Sequence, residues 1–210
     1  ASGNPKSAYF ANKITFLPDG NGISFTVQEN NRDCGTITIP LIGGYAIGAT
    51  IAGMCAALEC GLLLHEAIKN ASRIKIIPHR LQVMKNQAGM IIIDDSYNGN
   101  PDGVIEAINA LARFENRRKV CITPGLVEMG NQTAKVHRAI GKQLSKTANL
   151  VILIKNSVTP FIAKGLAEGK FNSANIHWFN SANDAHKALS TLLTKNDVVL
   201  FQNDWGDNYL

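Results

Sequence analysis

From Met90 to Phe201 the chain alternates short apolar runs with longer amphipathic stretches, and this alternation constrains the fold more than any other feature. The apolar runs fall near Met90 to Asp94, Lys119 to Thr123, Leu150 to Ile154, Ile176 to Phe179 and Val198 to Phe201. Helix-like stretches lie between them, near Pro101 to Phe114, Ala134 to Thr147, Thr159 to Glu168 and Ala182 to Leu193. Strand and helix alternating at this spacing predict a mostly parallel sheet covered on both faces. Ligands of such sheets collect at the carboxyl ends of the strands, where the loops 95–100, 124–131 and 203–209 converge.

The preceding segment has a different period. From Tyr9 to Pro40 apolar and polar positions alternate, with the turn cluster Pro18-Asp19-Gly20-Asn21-Gly22 between Ile14 to Leu17 and Ile23 to Val27. This predicts a β-hairpin, followed by a third strand at Thr36 to Ile39. Gly43-Gly44 then leads into a run of small and apolar residues, Ala46 to Leu64, which reads as a closely packed helix, with a shorter helix over Leu64 to Ala71. The predicted division lies near residue 88, with a mixed α+β part over 1–88 and a complete α/β domain over 89–210.

Composition narrows the function classes. A hydrophobic content of 45% over 210 residues fits an ordinary globular protein with a real core. No apolar run approaches a membrane span, the candidates near Thr50 to Leu64 and Val151 to Ile154 being interrupted by Glu59, His65 and Lys155. The formal charge of +5 is spread along the chain, and Arg117-Arg118-Lys119 is its one tight basic cluster. This balance suits anionic small molecules and argues against nucleic acid, since aromatic residues do not interleave with the basic ones. Cys34, Cys55, Cys60 and Cys121 have neither C-x-x-C nor zinc spacing and read as small core residues of a reducing compartment. The opening residues lack the apolar centre of a signal peptide, so a cytoplasmic location and a trimmed chain are expected.

Chemistry concentrates where strands are expected to end. Asp94-Asp95-Ser96-Tyr97-Asn98-Gly99-Asn100-Pro101 follows Met90-Ile91-Ile92-Ile93 directly and sets two carboxylates, a phenol and amides in a turn-forming sequence. The same residues also suit a plain strand-to-helix loop in which Asn100 caps a helix beginning at Pro101. In Pro78-His79-Arg80, Arg80 has the planar fork that pairs with phosphate or ribose oxygens, or with Asp94 or Asp95 at a domain junction. Glu128, in the loop Thr123 to Gly130, is either a cleft carboxylate or a solvated loop acid, and the glycines there permit close backbone approach. His137 lies about one turn into the following helix and faces either the same cleft or the surface. Asn203 and Asp204 follow the last strand at a ligand position. His65, His177 and His186 read as scaffold or surface.

Taken in order, Pro78-His79-Arg80, Asp94 to Pro101, and Gly125-Leu126-Val127-Glu128-Met129-Gly130 with His137 resemble the second half of a Mur ligase, most of all the dipeptide-adding branch. That resemblance implies a Rossmann-like C-terminal domain at 89–210 preceded by the tail of a central ATPase domain. It implies ATP-dependent amide formation in peptidoglycan precursor synthesis. A carboxylate of a UDP-muramoyl peptide becomes an acyl phosphate, and D-alanyl-D-alanine or a similar amine attacks it, with Mg2+ neutralising the phosphates. Carried over by motif, Arg80 and Asp95 would meet the ATP phosphates or ribose, and Tyr97, Asn98 and Asn100 would shape the adenine and ribose pocket. Arg80, Glu128 and His137 would be catalytic, and Asn203 and Asp204 would meet the amine substrate.

Three departures from the family pattern set further expectations. The phosphate loop and the UDP-sugar domain are absent, so the missing regions of the same protein are expected partners and this piece alone is expected to be inactive. The Gly-x-His-Asn motif appears as Gly43-Gly44-Tyr45-Ala46, without its histidine or asparagines. The lysine-glycine-serine-arginine turn is replaced by Gln202-Asn203-Asp204-Trp205. A non-catalytic binding relative and a ligase for a different amine are the alternative readings.

Overall fold

In this computed structural model residues 7–97 and 99–202 are described. The chain forms two compact units, Ala1–Ile77 and Pro78–Leu210. In the first unit, strands β1 (Tyr9–Phe16), β2 (Ile23–Glu29) and β3 (Arg32–Ile39) make an antiparallel meander. The expected hairpin is present, and Pro18–Gly20 forms a turn of 3-10 helix within its connection. β3 begins four residues earlier than the apolar pattern suggests. The turn before it is closed by Asn30 and Asn31, both at positive φ (49° and 63°), the conformation that asparagine tolerates and that matches strand twist.

Helices α1 (Tyr45–Glu59) and α2 (Leu64–Ala71) follow. The single long helix expected to reach Leu64 stops at Glu59. Gly61 turns left-handed (φ 91°), and the amides of Gly61 and Leu62 bond back to the carbonyls of Leu58 and Ala57, which closes the helix end. Phe25, Ile37 and Ile39 of the sheet bury themselves against Ile47, Ile51 and Met54 of α1 and Ile68 of α2. Among the described residues no helix is long and apolar enough to cross a membrane.

The second unit is a six-stranded sheet in the order β4-β5-β9-β6-β7-β8. Its strands are β4 (Gln82–Lys85), β5 (Ile91–Asp95), β6 (Arg118–Thr123), β7 (Leu150–Ile154), β8 (Ile176–Phe179) and β9 (Asp197–Gln202). All neighbours pair in parallel except β4, which runs antiparallel to β5 with Gln82 opposite Asp94. The division of the chain therefore lies between Ile77 and Pro78 rather than near residue 88, because Gln82–Lys85 takes its backbone partners from β5.

Helices α3 (Pro101–Ala112), α4 (Thr133–Thr147), α5 (Thr159–Glu168) and α6 (Ala182–Leu192) connect these strands. Val120, Ile122, Leu150, Ile152 and Val199 pack with Ala185, Leu189 and Leu192 of α6 on one sheet face. The alternate residues Cys121, Val151, Leu153, Val198 and Leu200 are buried on the other. The expected mostly parallel, doubly covered α/β sheet is what forms. β9, the last strand among the described residues, inserts between β5 and β6, so the carboxyl ends of five parallel strands open on one edge.

Candidate functional site

At the end of β5 the polypeptide builds a compact knot around the two aspartates. Asp94 accepts hydrogen bonds from the backbone amide and hydroxyl of Ser96 (3.1 and 2.6 Å), and its other oxygen lies 2.8 Å from His79 Nδ1. Asp95 accepts the Leu81 amide at 3.2 Å. The Tyr97 amide donates to the His79 carbonyl at 3.3 Å. These bonds stitch the 78–82 turn to the loop after β5 and hold His79 and Leu81 at positive φ (59° and 48°). Such conformations cost on the order of 1 kcal/mol each and persist where the surroundings over-determine them.

Arg80 sits between these two residues, and its guanidinium lies over the Tyr97 ring at 5.0 Å from the centroid. Tyr97 is 60% exposed, so the stacked pair presents a flat cationic and aromatic surface toward solvent. Burial pushes the Asp95 carboxyl above its ordinary range, and the Leu81 amide and the Arg80 charge act in the opposite direction. Arg80, Asp95 and Tyr97, named from the sequence, are thus brought together. Asn100 is not part of this cluster in its bonding: its side chain accepts the Gly103 amide at 2.8 Å and caps α3, the structural alternative open at the sequence level. Replacing Asn100 with alanine is expected to lower the stability of the second unit by about 1 kcal/mol in a urea titration. Asn98, Asn203 and Asp204 lie outside the described residues.

Beside this knot a cavity of about 830 Å³ opens at the carboxyl ends of the strands, bounded by Ser96, Val127, Glu128, Lys155, Asn156 and Ser181, among others. Its wall after β6 is the loop Pro124 to Met129. Gly125 has a φ of 84°, and a β-carbon there would come within 2.9 Å of His137 Nε2 and 2.8 Å of Val158, so only glycine fits. Glu128 is exposed at the cavity and held at a positive φ of 59°.

His137 is fully buried. Its Nε2 accepts the Leu126 amide at 2.9 Å, and its Nδ1 lies 2.7 Å from the Thr133 carbonyl, so the proton sits on Nδ1. With both ring nitrogens engaged by backbone, His137 does not have the free nitrogen that the expected catalytic role requires. His186, read from the sequence as scaffold or surface, lines the cavity with Asn156 and Gln202, and the sequence did not reveal what Asn156, Thr123 and Gln202 do there. Thr123 donates to Gln202 Oε1 at 2.6 Å and accepts the Gly125 amide at 2.9 Å. Apolar runs reveal strand ends but not which polar side chain there turns back onto a loop.

The arginine turn, the Asp-Asp strand end and the glycine loop all fall within one stretch that a known family matches. The family described as "Mur ligase, glutamate ligase domain" matches residues 79–202. The chain belongs to the Mur ligase family. Among curated Mur ligases, the UDP-N-acetylmuramoyl-tripeptide–D-alanyl-D-alanine ligase of Bacillus subtilis is 25% identical over 186 residues, covering 88% of this chain and 40% of the relative. The enzyme of the same name from Mycobacterium leprae is 30% identical over 198 residues, covering 85% and 38%. The crystal structure of MurF ligase from Thermotoga maritima in complex with ADP superposes with a TM-score of 0.77 at 20% identity, over 97% of this chain and 44% of that one. This Mur ligase chain therefore spans about two fifths of the length of these curated relatives.

Proposed function

We propose that this chain is the C-terminal part of an ATP-dependent, amide-forming Mur ligase that adds D-alanyl-D-alanine or a similar amine to a UDP-muramoyl peptide. The observation that carries this reading is the Arg80, Tyr97 and Asp95 cluster, joined through Ser96 to the cavity at the strand ends. The names of the two curated relatives support the dipeptide, and the bound ADP of the Thermotoga structure supports a nucleotide. A cytoplasmic setting fits the four free cysteines, of which only Cys121 is a core residue as expected, Cys34 and Cys55 being half-buried and Cys60 exposed.

ATP, when bound, supplies the phosphoryl group that activates the peptide carboxylate. The chain's own contribution is placement. The Tyr97 ring and the Arg80 fork offer a base-stacking face and a paired donor for phosphate or ribose oxygens. Asp95 accepts hydroxyl donors beside them. Glu128 carries the negative charge that attracts an ammonium group into the cavity. Among the described residues no group of three or more His, Cys, Asp or Glu is arranged to hold a metal ion. Mg2+ would arrive with the nucleotide and neutralise its phosphates. The phosphate-binding region, UDP-muramoyl peptide and amine complete the set of partners in this reading. The chain by itself is expected to be inactive.

The test is phosphate release by the full-length gene product with ATP, UDP-muramoyl peptides and a panel of amines. Release that requires both peptide and amine supports the reading, and absence of amine-dependent turnover overturns it. In the same protein Arg80→Ala is expected to weaken ATP use at least about tenfold, the scale of one charged hydrogen bond. Unchanged nucleotide affinity removes Arg80 from the pocket. Asp95→Asn is expected to lower ATP use while raising the melting temperature at neutral pH. Its carboxyl has a raised pKa in the folded state, so ionisation above the ordinary range opposes folding. A lower melting temperature at pH 7 contradicts this. A second reading, a ligase for a different amine, draws on Gln202 standing where the family pattern has lysine.

A further inference from the structure

Three consecutive backbone groups of the cavity loop are each held by a side chain from elsewhere. The Pro124 carbonyl accepts Asn156 Nδ2 at 2.7 Å, the Gly125 amide donates to Thr123 Oγ1 at 2.9 Å, and the Leu126 amide donates to His137 Nε2 at 2.9 Å. These side chains come from three places: the end of β6, the turn after β7, and α4. Each is oriented by a further bond. Thr123 passes its own proton to Gln202 Oε1, His137 Nδ1 is fixed by the Thr133 carbonyl, and Asn156 Oδ1 accepts the amides of Val158 and Thr159 at 3.0 Å each.

We infer that His137 and Asn156 are positioning residues of this loop, acting with Thr123 as a three-point clamp. The clamp fixes Pro124 to Leu126 and so sets where Val127 and the left-handed Glu128 meet the cavity. The inference concerns loop geometry and stands whether or not the ligase reading holds. A loop backbone of this kind normally satisfies its polar groups with water or with its own turn. Here each of three successive groups takes a side chain instead, and one of them is a fully buried imidazole whose tautomer is dictated by its partners. Unsatisfied, a buried amide such as that of Leu126 carries a desolvation penalty, which gives the clamp its energetic weight.

The test uses the 210-residue chain, labelled with 15N. Imidazole nitrogen shifts of the wild type are expected to report the Nδ1–H tautomer for His137. A proton on Nε2 overturns the inference without any variant. Amide exchange is then followed in His137→Ala and His137→Gln. Alanine is expected to speed exchange at Leu126 on the order of tenfold, while amides in the centre of β6 and β9 keep their protection. Glutamine, whose Oε1 reaches the place of Nε2, is expected to restore protection at Leu126. Asn156→Asp keeps the acceptor for Val158 and Thr159 and removes the donor to Pro124, so the Gly125 and Leu126 resonances are expected to shift while those of α5 do not. Unaltered Leu126 exchange in His137→Ala, failure of rescue by glutamine, or unaltered loop resonances in Asn156→Asp each count against the clamp.

Discussion

Gly165→Ala is expected to lower the stability of the second unit by about 3 kcal/mol in urea unfolding, near the upper end for overpacking. The cause is the crossing of α4 and α5. A β-carbon on Gly165 would lie 2.2 Å from the Arg138 carbonyl oxygen, and one on Gly141 would lie 2.1 Å from the Ile162 carbonyl oxygen. Both clashes are with backbone, which no rotamer change relieves, so the helices have to separate and expose the packing of Ile140, Leu144, Ile162 and Leu166. Gly141→Ala is expected to behave alike. Gly103, on α3, is the matched control. Its added β-carbon would meet only the Asn100 side chain at 3.4 Å, so Gly103→Ala gains helix propensity of about 0.5–1 kcal/mol with little steric charge against it. Opposite signs at Gly165 and Gly103 check the argument, and equal small effects refute it.

The second large effect is expected at Asp197. Its carboxylate is completely buried and takes four donors: Arg118 Nε and Nη2 at 2.9 and 2.7 Å, and the amide and hydroxyl of Thr194 at 2.8 Å each. The residues are 79 apart in sequence, and the pair ties the start of β6 to the start of β9. Burial alone would raise the carboxyl pKa, but the Arg118 and Thr194 bonds and the Arg118 charge outweigh it and hold the group below its ordinary range. A depressed folded pKa contributes stability that is complete above the ordinary aspartate value of about 4 and is lost as pH falls through the folded value. Asp197→Ala is therefore expected to cost roughly 2 kcal/mol at pH 7, less than for a fully buried pair because the Arg118 side chain left behind is 39% exposed. It is also expected to show a flatter fall of melting temperature below about pH 4 than the wild type. Parallel acid limbs in the two proteins refute the assignment.

Much of the fold was legible because periodicity reports burial. The five parallel strands are short, almost wholly apolar runs, and the four helices after them show an apolar stripe, so residues 90–201 declared an α/β sheet. β4 escaped notice because Gln82-Val83-Met84-Lys85 is an edge strand of four residues, partly exposed, with too few alternations to stand out. The helix end at Glu59 was missed for a related reason: the apolar run continues through Leu62 and Leu63, both exposed, and only the left-handed Gly61 marks the stop. At the site, the Arg80, Asp95 and Tyr97 group could be named from local motifs. The role of Asn100 was open between cap and pocket, and its bond to Gly103 shows the cap. His137 was visible as a histidine near the loop, yet its buried acceptor role depends on a loop 11 residues upstream in the chain. Thr123 and Gln202, at the ends of two strands 79 residues apart, carry no sequence sign of meeting.

The clamped loop separates shape from lettering. Because Thr123, His137 and Asn156 hold the main chain of Pro124 to Leu126, the next side chains, Val127, Glu128 and Met129, hang from a preset frame at the cavity wall. Libraries randomised at those three positions therefore vary the chemistry of the cavity wall on an unchanged backbone, whereas variation at the three anchors redraws the backbone itself.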